Sequence, residues 1–293
     1  MKIVVAGGTG FIGEPLVRRL VARGDDVVVL SRNPAKVRAG RGVAWDARTQ
    51  GAWSAETAGA DAVINLAGEN IGEGRWTAER KRRLIDSRLH ATHAVVEALQ
   101  REPSRPRTLV NASAIGFYGD RGDEVLDESA PRGEGFLAEL VEQWERAARA
   151  AEPFARLVLA RVGVVLDPEG GALKKMLLPF RFGVGGRIGS GKQWMSWVAR
   201  EDVLRFFEWA IDTRGARGVY NLTSPEPVRN RDFARILGRA VHRPALMPAP
   251  AFALRLAVGE MADEALLASQ RAVPARAAAE GFAFAKPLLA SAL

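Results

Sequence analysis

The apolar positions along the chain alternate between two spacings, and this alternation predicts a sheet covered by helices. Short apolar runs that end at polar or glycine residues predict buried strands, and apolar residues that recur every three or four positions predict helices. Strands are predicted at 2–6, 26–31, 43–45, 62–66, 108–112 and 156–162, and helices at 11–23, 77–100 and 136–151. The predicted fold class is α/β, a Rossmann-type doubly wound parallel sheet.

The pattern changes after Val165 and predicts a smaller C-terminal lobe. Five glycines between positions 183 and 191 predict a long loop, and a strand at 219–222 and a helix at 231–241 follow. We therefore predict a sheet domain over 1–165 and a C-terminal lobe over 166–293, which includes a tail at 245–293. The elements around 198–222 are expected to return to the sheet.

Composition narrows the possible chemistry. Of the 293 residues, 47% are hydrophobic and 26% are charged, which is ordinary for a globular chain and excludes a disordered one. The absence of cysteine excludes a disulfide framework, a thiolate metal site and a cysteine nucleophile. Three histidines disfavour a multi-histidine metal site, so we expect no metal.

The net charge of +8 comes mostly from 35 arginines, which are spread along the chain with acidic residues between them. The longest basic cluster, Arg80–Arg83, lies in a helical pattern and is interpreted as a solvated helix face, so no nucleic-acid partner is expected. No apolar run approaches the ~18 residues of a membrane span, and the chain starts with a strand rather than a signal segment. We therefore expect a cytoplasmic protein that does not bind membranes.

A glycine-rich loop between the first strand and the first helix predicts a dinucleotide site. Gly7, Gly10 and Gly13 have the GxxGxxG spacing, with Thr9, Phe11 and Ile12 between them. The three glycines permit a sharp turn, close approach to a pyrophosphate and tight packing of the helix on the sheet. The helix N-terminus then offers N–H groups and a positive dipole to the phosphates.

The end of the second strand predicts which dinucleotide binds. An NAD site has an acidic residue there, but this chain has Ser31 and Arg32. A hydroxyl and a guanidinium suit a 2′-phosphate, so the predicted cofactor is NADP(H). The alternative is that Arg32 is an ordinary surface arginine.

These residues, with three further motifs, carry a resemblance to a known superfamily. The N-terminal GGTGFIG, the NLAG at 65–68 and the NAS at 111–113 resemble the extended, epimerase-like branch of the short-chain dehydrogenases/reductases. Segments such as LAGENI (66–71), GSGKQWMSW (189–197) and SQRAVP (269–274) resemble its "epimerase family protein" subgroup, which has a short C-terminal domain of unknown function. The resemblance covers nearly the whole chain and implies an NADP(H)-binding Rossmann fold.

The resemblance also implies positions for residues that line the cofactor. Asn65, Leu66, Ala67 and Gly68 are expected near the nicotinamide ribose, with the contacts of Leu66 and Ala67 made through backbone. Trp45 and Asp46 are expected near the adenine, Arg88 facing the cofactor, and Arg161 beside the nicotinamide. All of these lie at strand ends or on the adjacent helix, where a doubly wound sheet binds its ligand.

The superfamily's catalytic pair is absent. Its chemistry uses a tyrosine and a lysine four residues apart, but Tyr118 and Tyr220, the two tyrosines of the chain, are followed at that distance by Gly122 and Ser224. By the resemblance, the tyrosine position falls on Phe136 and the lysine position on Leu140.

Two interpretations follow from this absence. In the first, an oxidoreductase or epimerase-like enzyme acts on a small, unidentified carbonyl or hydroxyl compound: Ser113 polarises the carbonyl, Tyr118 or Glu69 serves as the acid, and Arg161 or Lys81 supplies positive charge. A one-residue shift of the alignment would put Ala114 in the serine position. In the second, the protein binds NADP(H) without chemistry, as a sensor or interaction protein. The sequence is compatible with a homodimer.

One further glycine motif is interpreted as a decoy. Residues 186–192 fit GxxxxGK, but Gln193 follows where a P-loop has serine or threonine, and the next residues predict a strand. The resemblance instead makes this region part of the substrate pocket. The expected pocket residues are Lys192, Gln193, Met195, Ser196 and Trp197.

Overall fold

The computed structural model describes residues 1–101 and 107–293. The described strands are β1 Lys2–Ala6, β2 Asp26–Ser31, β3 Arg41–Ala44, β4 Ala62–Asn65, β5 Arg107–Ala114, β6 Val125–Leu126, β7 Ala155–Val162, β8 Val164–Asp167, β9 Trp194–Met195, β10 Trp197–Ala199, β11 Gly218–Leu222, β12 Val228–Arg229 and β13 Arg271–Ala272. The described α-helices are α1 Gly13–Ala22, α2 Ala78–Gln100, α3 Phe136–Arg149, α4 Gly171–Arg181, α5 Arg200–Asp212, α6 Asn230–Ala240, α7 Ala251–Val258, α8 Ala275–Ala279 and α9 Leu289–Ala292.

The centre of the molecule is a seven-stranded parallel sheet in the order β3-β2-β1-β4-β5-β7-β11. Val4 of β1 pairs with Val28 of β2 on one side and with Val63 of β4 on the other. The strand order reverses between β1 and β4, so the ligand-binding crevice of such a sheet lies at the carboxyl ends of these two strands. The predicted Rossmann-type fold class is confirmed.

Both faces of the sheet are buried, as the continuous apolar runs predict. One face packs on α1 and α5 through residues such as Val5, Leu16 and Phe206. The opposite face packs on α2 through Val4 and Val95. No helix within residues 1–101 and 107–293 combines the length and the apolar content that crossing a membrane requires.

The region after Val165 contains more structure than the predicted loop. β8 and the helix α4 precede the glycines, and β10 pairs with β8 in a separate two-stranded sheet. The residues around 198–222 form α5 and β11, and β11 is the edge strand of the main sheet beside β7. The tail folds into short helices, including a π-helical turn at Ala262–Leu267, and its β13 pairs with β6.

Candidate functional site

The glycine loop has the geometry that a phosphate cradle needs. Gly7 adopts φ +79°, and its amide carbonyl accepts a hydrogen bond of 3.1 Å from the N–H of Gly10. A Cβ on Gly13 would lie 2.2 Å from that same carbonyl oxygen, so no other residue fits without moving the turn. The loop therefore lies tightly against the start of α1, and a helix N-terminus favours a negatively charged phosphate through its positive dipole.

The C-terminal lobe holds the loop from one side through Phe11. A Cβ on Gly170 or on Gly171 would lie within 2.8 Å of this ring, so the two glycines allow the turn before α4 to approach it. The guanidinium of Arg200 lies 4.9 Å from the ring centroid. The side chain of Phe11 is thus a contact between the loop and the lobe, and Ile12 packs against the core below it.

A cleft of about 560 Å³ opens beside the loop, between the start of α1 and residues 35–39. Gly8 and Thr9 line one wall, and Lys36 and Arg38 contribute two cations to the other. Arg38 makes a 3.4 Å ion pair with Glu14 at the start of α1. Since Glu14 lines the cleft as well, the charges around it are of both signs.

The predicted cofactor residues at the ends of β2 and β3 differ in exposure and in whether their side chains already have partners. Arg32 is exposed and, within the part of the chain that the structure describes, makes no ion pair or side-chain hydrogen bond, whereas Ser31 is buried and accepts a bond from the N–H of Asn33. Trp45 is 4% exposed and packs on Trp53. The carboxylate of Asp46 binds Thr49, whose hydroxyl bond holds the pKa of Asp46 below its usual value. Asp46 therefore organises its own turn.

Asn65 and Arg88 organise the loop that follows β4. The amide of Asn65 donates to Asn111 at 2.7 Å and accepts from the N–H of Ala67 at 3.2 Å, which orders the backbone of Leu66 and Ala67. Arg88 lies against Gly68, where a Cβ would be 3.2 Å from its Cγ.

Among the residues that the structure describes, no carboxylate pairs with the guanidinium of Arg88. It donates 3.0 Å bonds to the backbone carbonyls of Leu84 and Glu69 and lies 5.2 Å from the ring centroid of Trp144. Burial lowers its pKa to about 10, because desolvation disfavours the charged form. An uncompensated cation at the end of β4 is a ready partner for an anionic or hydroxyl-rich ligand.

Ser113, one of the two predicted catalytic residues, is bonded to a buried ion pair that the sequence interpretation missed. Its Oγ donates to Oε1 of Glu145 at 2.6 Å. Arg161 binds the same carboxylate with Nε at 2.7 Å and Nη2 at 2.9 Å. Both side chains of the ion pair are 4% exposed. Arg161 is therefore directed into the protein at this point, where Glu145 neutralises its charge.

Tyr118, the other predicted catalytic residue, belongs to the same network. Its hydroxyl lies 2.7 Å from Oδ1 of Asn221 and accepts a 3.0 Å bond from Nη1 of Arg161. The residue is 0% exposed, and burial raises the pKa of its hydroxyl. The structure thus places both predicted hydroxyls inside a closed network rather than at an open surface.

Apolar side chains occupy the positions that the resemblance assigns to the superfamily's tyrosine and lysine. Phe136 and Leu140 pack with Trp76, and Ala114 joins the same cluster at the end of β5. Ala114 and Phe136 thus both border this apolar cluster.

The predicted pocket residues at 192–197 mostly bind the C-terminal tail. The amide of Gln193 donates to the carbonyl of Leu266 at 3.2 Å, and the hydroxyl of Ser196 lies 2.8 Å from the carbonyl of Gln270. Trp197 is 0% exposed and Met195 packs beside it, whereas Lys192 is exposed. Glu69 forms ion pairs with Arg80 and Arg83 at the start of α2.

Two family models match parts of this chain. Residues 3–153 match the model of the NAD dependent epimerase/dehydratase family, and residues 249–293 match a domain of unknown function, DUF1731. The epimerase family protein Mb2239 of Mycobacterium bovis is 42% identical over 96% of this chain and 93% of its own length.

Two solved structures are also similar. The crystal structure of human epimerase family protein SDR39U1 (isoform 2) with NADPH superposes with a TM-score of 0.90 at 35% identity, covering 100% of this chain and 97% of the human one. The nucleoside-diphosphate sugar epimerase of Corynebacterium glutamicum gives a TM-score of 0.81 at 31% identity, and this chain spans 57% of that longer one.

Proposed function

Because the chain belongs to the NAD-dependent epimerase/dehydratase family, we propose that it binds NADP(H) and exchanges a hydride with a small carbonyl or hydroxyl compound. The observation that carries the proposal is the contact between Gly13 and the carbonyl of Gly7, which leaves no room for a Cβ. Such a turn lets a pyrophosphate reach the N-terminus of α1. The NADPH bound to the human relative supports a reduced or oxidised nicotinamide cofactor.

The preference for a 2′-phosphate rests on charge. Arg32 is exposed without an ion-pair partner in the described chain, and Lys36 and Arg38 line the neighbouring cleft. The hydroxyl of Ser31 accepts a bond from Asn33, so its own proton is available for a phosphate oxygen. Residues 31–40, at and directly after the end of β2, include no aspartate or glutamate to receive a ribose 2′-hydroxyl.

Leu140 stands where the superfamily has its lysine and carries no charge. We propose that Arg88 supplies the positive charge in its place. It lies over Trp144, one helical turn beyond Leu140 on α3, and against the loop at Gly68. Since its charge is desolvated and unpaired, a ligand oxygen would relieve the cost of burial. Asn65 keeps the adjoining backbone in place.

When bound, the nicotinamide supplies or accepts the hydride, and the chain has to supply a proton for the carbonyl oxygen. Ser113 already donates its single proton to Glu145, and Tyr118 is enclosed, so the geometry supports neither as a free donor. The second candidate function, an NADP(H)-binding protein without turnover, is favoured by the hydrocarbon at Phe136 and Leu140.

Calorimetric titration of the purified chain with NADPH tests the binding proposal. We expect a saturable one-site isotherm that Gly13→Val abolishes, because the added side chain displaces the turn. The variant's circular dichroism spectrum should stay that of a folded α/β protein. NADPH oxidation against a panel of aldehydes, ketones and nucleotide sugars then separates the two functions, and no oxidation with any of them would favour the silent one.

A further inference from the structure

The site that we propose for NADP(H) needs a proton donor, and the groups near the carboxyl ends of β4, β5 and β7 can be compared one by one. Ser113 and Arg161 donate hydrogen bonds to Glu145, and the hydroxyl of Tyr118 lies between Arg161 and Asn221. Glu69 is held between Arg80 and Arg83. These groups are committed to partners within the protein.

Lys81 is also paired, with Glu260, but it differs from these groups because its ammonium lies beside Phe136, at the position of the superfamily's tyrosine. It begins the second turn of α2, its side chain is 26% exposed, and its ammonium lies 5.0 Å from the ring centroid of Phe136. The aromatic ring attracts the cation to its face. Trp76 packs edge-on against the same ring, with 5.2 Å between centroids.

The C-terminal segment completes this corner of the site. The carboxylate of Glu260 forms an ion pair with the ammonium of Lys81. Glu264 accepts 3.1 Å bonds from the N–H groups of Phe136 and Leu137, so it fixes the start of α3. Glu260 and Glu264 therefore fix the positions of Lys81 and Phe136. Both glutamates belong to the matched domain of unknown function, residues 249–293.

We infer that Lys81 is the proton donor of the proposed reaction, held over Phe136 by Glu260. The inference rests on the proposed NADP(H) function. In the reductive direction, the carbonyl carbon gains the hydride from the reduced nicotinamide. The carbonyl oxygen gains a proton as an N–H bond of the Lys81 ammonium breaks, which leaves an alcohol and a neutral amine. The amine regains its proton from water. In the oxidative direction, the neutral amine takes the hydroxyl proton.

Two substitutions separate proton donation from charge. Lys81→Met removes both, whereas Lys81→Arg keeps a cation that can pair with Glu260 but does not give up its proton at working pH. For any carbonyl compound that the parent protein reduces, we expect both variants to lose about 100-fold or more in kcat, with NADPH binding unchanged. Turnover by Lys81→Arg near that of the parent would overturn the inference, because the role would then be one of charge alone.

A second measurement does not depend on finding a substrate. The chain has seven lysines, so ¹³C-methylation gives a small set of resolvable dimethylamine NMR signals, and the Lys81 signal is the one that Lys81→Arg removes. Saturation with NADP⁺ is expected to shift the Lys81 signal and to leave that of exposed Lys286, the matched control, in place. In the cofactor-free protein, Glu260→Gln should also move the Lys81 signal.

The outcomes distinguish the two proposals. If calorimetry shows NADP⁺ binding and the Lys81 signal does not move, the inference fails and the binding proposal stands. If calorimetry shows no binding of either NADP⁺ or NADPH, the proposed function fails, and the role of Lys81 fails with it.

Discussion

Ser113 and Glu145 share a hydrogen bond of 2.6 Å in which the serine hydroxyl is the donor. A carboxylate only accepts, and Arg161 donates two further bonds to it, so the single proton of Ser113 lies toward Glu145. The lone pairs of Ser113 remain, which can accept a hydrogen bond but cannot polarise a carbonyl. Ser113 therefore lacks a free proton for a substrate carbonyl.

Glu145→Ala is expected to destabilise the fold strongly, because it leaves the guanidinium of Arg161 buried and unpaired. The cost of breaking such a buried pair is about 3–5 kcal/mol. Urea unfolding followed by tryptophan fluorescence measures it. Ser113→Ala should cost less, about 1–3 kcal/mol, since only one charge-assisted bond is lost.

The matched control for this pair lies on the surface of α2. Glu97 and Arg101 form a 2.7 Å ion pair with both side chains more than half exposed. Glu97→Ala should therefore change the unfolding free energy by about 0.3–0.5 kcal/mol. Equal costs for the Glu97 and Glu145 substitutions would contradict the picture of a buried network.

Tyr118→Phe tests whether the buried hydroxyl is structural. The hydroxyl connects Arg161 to Asn221, whose amide in turn donates to the carbonyls of Leu126 and Val273. We expect the variant to lose about 1–3 kcal/mol of stability, because polar partners are left unsatisfied, and to keep any turnover of the parent. Loss of turnover with stability preserved would instead assign the acid to Tyr118.

The α/β sheet and the glycine loop could be predicted from the sequence because both are local patterns. The buried network could not, because Glu145 and Arg161 lie on different elements and meet only when α3 packs against β7. A signal was nevertheless present. Leu137, Val141 and Glu145 follow one another at four-residue intervals on the buried face of α3, and a carboxylate on such a face requires a partner.

Part of the structure after Val165 could not be predicted from local sequence patterns. The glycines of this region predict a loop, and no described helix or strand lies between Arg181 and Trp194. β8 and α4 precede this loop, and the turn at Gly170 and Gly171 packs on Phe11 of the glycine loop. Likewise, Gln193 and Ser196 bind backbone carbonyls of the tail. These contacts join residues that are far apart in the sequence, so the local spacing of apolar residues does not predict them.

Glu128 gives the fold a dependence on pH whose sign can be stated. Burial raises the pKa of this carboxyl above 4.5, although it accepts a 3.0 Å bond from the N–H of Asn221. The folded chain thus binds the proton more tightly than the unfolded chain does. The resulting stabilisation is full below pH 4.5 and is lost as the pH rises through the folded-state pKa.

Glu128→Gln is neutral at every pH and should not show this loss. The difference in unfolding free energy, variant minus parent, is therefore expected to grow in favour of the variant between pH 4 and pH 7. Denaturant midpoints measured at half-unit steps provide the check. A difference that is constant with pH would mean that Glu128 titrates alike in both states.

Arg32→Ala is expected to weaken NADPH binding by about 10- to 100-fold and to leave NADH binding unchanged. The reason is that a charge-assisted bond to the 2′-phosphate contributes about 1.5–3 kcal/mol, and NADH has no such phosphate. Calorimetry with both dinucleotides measures the ratio. Arg146→Ala, on the exposed face of α3, is the control. Equal affinities of the parent for NADPH and NADH would remove the 2′-phosphate assignment.

Substitutions that restore the superfamily's tyrosine and lysine should destabilise the fold strongly at only one of the two positions. Leu140 is 2% exposed and packs with Leu84 and Trp76, so Leu140→Lys buries an ammonium without a partner and should cost about 3–5 kcal/mol. Phe136 is only half-buried, and a hydroxyl on its ring can reach solvent, so Phe136→Tyr should cost less than about 1 kcal/mol. Urea midpoints of the two single variants decide this. If Leu140→Lys is tolerated as well as Phe136→Tyr, the hydrocarbon cluster does not explain the absence of the lysine.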